Sequence, residues 1–195
     1  MPGAGHFETL HGEVDPAARS EAADRCATLL VRGAHDTDDE TVVERVVSLA
    51  DSEGLETLAD LWASSPPDSL AGCLWRLYLL RAWVYADPVA AAREFDAGRH
   101  HTPVYEAVAG VVDPPGPDEV RQLVDLVLRG VVQGDFADTL YRAAAFARVA
   151  AAGRAHIGSS HALTPYESDL SASKLVTMAD QLEHAAGLEA DGHLA

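Results

Sequence analysis

The chain predicts an all-α protein, a single-domain helical bundle of about seven to nine helices, and three observations predict it. Apolar residues recur at three-to-four spacing in segment after segment. Residues that start and stop helices, Asp-Pro pairs and glycines, punctuate those segments. The composition, 48% hydrophobic and 23% charged over 195 residues, is ordinary globular usage and allows one core without staples.

Residues 1–14 carry Gly, His and Pro without periodicity and are expected to form a partly ordered arm. The helical domain is expected over residues 15–188, with a frayed tail over 189–195. Asp15-Pro16 opens the first helix: the aspartate caps free amides, the proline suits the first turn, and Gly33 stops it. A second helix is expected from about Asp38, with Val42, Val43, Val46, Val47 and Ala50 on one face. After Gly54, Leu55, Leu58, Leu61 and Trp62 continue on a short third helix. Ser64-Ser65-Pro66-Pro67-Asp68 is the clearest loop.

The most apolar segment, Leu70 to Tyr85, follows. A helix apolar on all sides belongs in the middle of a bundle, so the bundle is expected to be built around this helix and the hairpin of Asp118 to Ala152. Asp87-Pro88 opens a short helix ending at Gly98, and Arg99 to Gly116 is rich in loop residues. Pro117-Asp118-Glu119 starts the next helix, with Val120, Leu123, Val124, Val127, Leu128 and Val131 on its apolar side as far as Gly134. Asp135 caps its successor, in which Phe136, Leu140, Ala143, Ala144 and Val149 face inward as far as Gly153. The alanines of that segment allow close helix approach. Gly153 to Pro165 reads as a loop, and a last amphipathic helix is expected over about Ser168 to Leu188.

Charge narrows the function classes. Acidic residues number 31 against 14 basic ones, a net charge of -17, and every basic residue except Lys174 is arginine. A field of that sign repels phosphate backbones, and no basic stripe offsets it, so direct nucleic-acid binding is not expected. The densest acidic run lies between His35 and Asp60 and includes Asp36, Asp38, Asp39, Glu40 and Glu44. It reads either as a solvated helix face or as a docking surface for a basic partner. Cys26 and Cys73 lie in apolar helical stretches without metal or redox spacing and read as small buried hydrophobes. No apolar run reaches the roughly 18 residues of a membrane span, and no signal peptide is recognisable, so a cytoplasmic protein is expected.

No recognised catalytic motif is present. Of nine histidines, His100, His101, His156 and His161 fall in expected loops, but no carboxylate or cysteine completes a metal-binding spacing, and no metal or cofactor is expected. Ser159 and Ser160 beside His161 lack a nucleophile-elbow setting. Arg76 and Arg81 are more informative, because a guanidinium on an apolar helix must find a carboxylate, a carbonyl or an anionic ligand. Five residues apart, they point about 140° away from each other and are not expected to share one anion. With Trp75 and Tyr78 they mark a candidate ligand or anion pocket, expected between this helix and the Arg99 to Gly116 loop.

The run Leu74-Trp75-Arg76-Leu77-Tyr78-Leu79-Leu80-Arg81-Ala82-Trp83-Val84 and the pair Asp87-Pro88 are followed by Pro117-Asp118-Glu119-Val120 and Gly134-Asp135-Phe136-Ala137. Together with Arg142-Ala143-Ala144-Ala145-Phe146 and Ala150, Ala151 and Gly153, this pattern resembles a family of helical actinobacterial proteins of similar length. Members often carry the label RNA polymerase beta subunit. The resemblance extends from Asp15 to the terminal helix and implies an actinobacterial cytosolic protein of undetermined activity. It transfers no catalytic residue, since the chain has neither a metal-binding aspartate triad nor a basic cleft. Contact with polymerase, rather than with DNA, is the link to transcription that it allows.

The leading expectation is therefore a non-enzymatic interaction or regulatory protein whose acidic surface meets a basic protein partner, with a second copy of the chain as another partner through an apolar helix face. The alternative is a small-molecule-binding helical protein or small enzyme with its pocket near the Leu70 to Tyr85 helix.

Overall fold

A computed structural model describes residues 16–32, 60–101, 116–133, 135–157 and 170–195. Among these residues the protein is all-helical and contains no strand. Six helices lie wholly among them: α1 (Pro16–Val31), α2 (Leu70–Ala86), α3 (Pro88–Arg99), α4 (Pro117–Gln133), α5 (Phe136–Ile157) and α6 (Ala172–Ala190). The arm expected over 1–14, the helix expected from residue 38 and most of the short helix before residue 62 lie outside the described residues.

Local chemistry sets several helix starts. Ser69 accepts from Gly72 N to begin α2. Asp87 accepts from Ala90 N at 2.9 Å, with Pro88 in the first turn of α3. Asp135 accepts from Asp138 N at 3.1 Å to begin α5. These satisfy amides that a helix start otherwise leaves unpaired. The last helix begins later than expected, at Ala172, because Ser171 is its cap and accepts from Lys174 N.

Of the two segments expected at the centre, the bundle is built on α5, the second helix of the hairpin, rather than on the more apolar α2. α5 packs on both α3 and α6 and buries Phe136, Leu140, Phe146, Val149 and nearly all its alanines. Small side chains let two neighbours approach at once. α2 is buried along one side through Leu70, Cys73, Leu74, Leu77, Leu80, Trp83 and Val84, while Trp75, Arg76, Tyr78 and Arg81 are only half-buried and Tyr85 is exposed.

Gly153 does not stop α5, which runs on to Ile157. Its role is proximity: a Cβ there would sit 1.7 Å from Glu94 O, and one on Gly98 would sit 1.8 Å from Val149 O. α3 and α5 therefore cross backbone to backbone, a contact only glycine allows. Beside the crossing, Phe95 and Phe146 stack with centroids 5.2 Å apart, and Trp83 tilts onto Phe146 at 6.2 Å.

The segment expected to fray is docked instead. α6 continues to Ala190, and Gly192 adopts φ 70°. Gly192 N donates to Glu189 O at 3.0 Å and His193 N to Leu188 O at 2.8 Å, the pairing that closes a helix through a left-handed glycine. The reversal buries Leu194, brings Ala195 O to Leu70 N at 2.7 Å, and leaves Glu189 in a two-pronged ion pair with Arg32 at the end of α1.

Candidate functional site

Trp75 and Arg76, two of the four residues expected to mark a pocket, line an open cleft of about 230 Å³ between α2 and α6. The facing wall comes from Lys174, Thr177, Met178 and Gln181 of α6, with Leu79 and Leu170 completing the lining. The cleft therefore opens against α6, whereas residues 102–115 of the loop expected to form it lie outside the described residues. Met178, Leu170 and the half-buried Trp75 and Leu79 make the lining largely apolar. No carboxylate lines it among the described residues.

Arg76 is held by neutral partners. Its Nε donates to Gln181 Oε1 at 2.7 Å and its Nη1 to Gly72 O at 2.7 Å. Among the described residues it forms no salt bridge. Burial pushes the guanidinium below its ordinary value, against the opposing influence of Cys73 and Asp68. The fork is thus fixed in orientation while its charge is only partly compensated.

Tyr78 and Arg81 do not join the cleft. Tyr78 stacks on Trp75 with centroids 5.7 Å apart. Arg81 lies elsewhere on α2, where its Nε donates to Asp125 Oδ1 at 3.1 Å and its guanidinium covers the Tyr85 ring at 4.1 Å. The Tyr85 hydroxyl donates to Asp125 Oδ2 at 2.5 Å, and that bond holds its proton above the ordinary tyrosine value. The opposite directions expected for Arg76 and Arg81 are what the helix produces, and Arg81 finds an internal carboxylate.

Lys174, Thr177 and Gln181 were not singled out from the sequence. Their spacing of three and then four residues puts them on one helix face beside Met178, a polar strip next to the apolar one. That strip, carrying the chain's single lysine, is the signal that was available.

Two of the four histidines meet. His101 and His156 approach with ring centroids 4.2 Å apart, tilted by 35°. His156 belongs to α5, not to a loop, because the helix passes Gly153; His100 is exposed at the end of α3, and His161 lies outside the described residues. No group of three potential ligands that could hold a metal occurs among the described residues. Asp36, Asp38, Asp39, Glu40 and Glu44, and likewise Ser159 and Ser160, lie outside the described residues.

Elsewhere most of the described arginines are taken up by ion pairs within the chain. Arg25, Arg32, Arg81, Arg99, Arg121, Arg142, Arg148 and Arg154 each pair with a carboxylate of the chain. Arg148 serves both Glu183 and Asp180, whose hydrogen bonds raise its affinity for the proton. Comparison with protein-family models, with curated proteins and with solved structures finds no match to this chain. No helix among the described residues is long and apolar enough to cross a membrane.

Proposed function

We propose that this is a non-enzymatic interaction or regulatory protein that docks a basic protein partner in the cytoplasm through its surplus of surface carboxylates. Asp36, Asp38, Asp39, Glu40 and Glu44 belong to the densest acidic run of the sequence and are the residues proposed to meet the partner. The observation that carries the reading is the internal use of the arginines. Eight of them already pair with the chain's own acids, and with 31 acidic residues against 14 basic ones the chain cannot match its carboxylates from within. Asp24, Asp68 and Asp191 are exposed and form no ion pair among the described residues. Such a surface accelerates encounter with cationic partners and discourages anionic ones.

The resemblance to the actinobacterial helical proteins fits this reading, because an acidic helical protein suits contact with a basic protein surface better than contact with DNA. Replacing Asp38, Asp39 and Glu40 by lysine tests the reading. Capture of a stoichiometric basic partner by the wild type should be lost in the triple variant, while its helical circular dichroism is kept. Equal capture by both proteins would refute the assignment.

A further inference from the structure

Beyond partner docking, we infer that the cleft between α2 and α6 binds a small organic acid, one carboxylate carried on a compact apolar body, with Arg76 as the recognition residue. Three features converge there. The Arg76 fork is immobilised by neutral acceptors, Gln181 Oε1 and Gly72 O, each at 2.7 Å, through Nε and Nη1, and Nη2 forms no hydrogen bond among the described residues. A guanidinium held by amide oxygens keeps its full formal charge, and a carboxylate is the planar partner that matches its geometry. Lys174 adds a second cationic group to the lining.

The remainder of the cleft is apolar, with Trp75, Leu79 and Met178 providing a ring-sized surface beside the cation. Its volume of about 230 Å³ is below the ~300 Å³ at which sites for drug-sized molecules begin, so the ligand is of the size of a single substituted ring or a short acyl chain. An inorganic anion would leave the apolar wall wet, and a neutral molecule would leave the guanidinium uncompensated. The whole molecule repels anions, so a guanidinium held by neutral acceptors in a cleft that no carboxylate lines among the described residues is an exception that selects one anion at short range.

Calorimetric titration of the full chain with 3-phenylpropanoate, hexanoate, 3-phenylpropan-1-ol and acetate tests this inference. Saturable one-to-one binding is expected for at least one of the two larger acids, with the aromatic and aliphatic arms showing which body fits. The alcohol and acetate should bind at least about tenfold more weakly, the weight of one charged hydrogen bond or of the apolar contact. Arg76→Met should weaken the acid about tenfold or more, and Arg76→Lys should recover part of the loss. Thr177→Trp, at an exposed position on the rim, should block the cleft without touching Arg76, which keeps the test decisive if Arg76→Met fails to fold. Equal binding of acid and alcohol, an unchanged affinity in Thr177→Trp, or no saturable binding of either acid would overturn the inference.

Discussion

Arg154 is the charged residue that is buried as a whole among the described residues. It is 8% exposed, donates from Nε to Glu94 Oε2 at 2.9 Å and from Nη1 to Leu170 O, and lies over the Trp83 ring at 5.0 Å. A half-pair left in such a place is costly, because the remaining carboxylate keeps its desolvation penalty. Arg154→Met is therefore expected to destabilise by about 3–5 kcal/mol in urea unfolding, and the further change Glu94→Gln should recover part of that. A loss below about 1 kcal/mol would mean that the pair is effectively solvated.

Cys73 carries the clearest pH dependence. Burial pushes its thiol from 9.0 to about 12, with Arg76 pulling it down and Glu189 and Asp68 adding to the rise. Below pH 9.0 the thiol is neutral in both folded and unfolded chains. Between there and about pH 12 the unfolded chain releases a proton that the folded chain retains, so stability falls as pH rises, on the order of 1 kcal/mol per unit. Urea midpoints measured across that range should fall less steeply in Cys73→Ala, although its starting stability is lower; identical slopes would contradict the burial argument. Of the two cysteines expected as small buried hydrophobes, Cys73 is buried and Cys26 is half-buried against the core. The place of Arg154 is not visible in the sequence, because Gly153 marks a helix end locally while the helix runs on to Ile157.

At the scale of elements, the same glycine explains most of what the sequence misrepresents. Asp87-Pro88 and Asp135 were legible because a cap acts on amides two or three residues away, within the reach of local sequence. Gly98 and Gly153 were not, since helix termination and helix crossing use the same residue and differ only in what stands opposite in space. Gly153→Ala must displace the Glu94 backbone, against which its Cβ would sit at 1.7 Å, and is expected to cost about 3 kcal/mol. Gly187→Ala is the control: the nearest atom to its Cβ is Tyr141 Oη at 3.9 Å, so the helix should gain up to about 1 kcal/mol. Thermal unfolding of the two variants checks the contrast, and a similar shift in both would dismiss the crossing. The docked tail had a local signal as well, in Gly192 following Asp191 and in Leu194 two residues later, a helix-closing glycine with an apolar residue to bury.

The whole molecule shows why apolarity is a poor guide to centrality. α2 is the most apolar helix described, yet it leaves Arg76, Tyr78 and Arg81 only half-buried, whereas the alanines of α5 admit α3 and α6 on two sides. Half of the candidate cleft followed from the same reasoning. A guanidinium on an apolar helix announces itself, so Arg76 and its neighbour Trp75 were legible. The opposite wall was not, because the helix that comes to face α2 is decided by the packing of α6 on α5, which no local pattern encodes.

Charge, unlike packing, is a property of the whole chain and was legible from composition. What the fold adds is that eight arginines pair with the chain's own carboxylates, and the proposed docking rests on the carboxylates left over. The most direct measurement of that claim is affinity capture from native lysate at low and high salt, with the retained proteins quantified by mass spectrometry. The account predicts one stoichiometric basic protein held at low salt and released at high salt, where screening shortens the reach of surface charge to about 3 Å at 1 M. A partner held equally at both salts, or no stoichiometric partner at either, would contradict it.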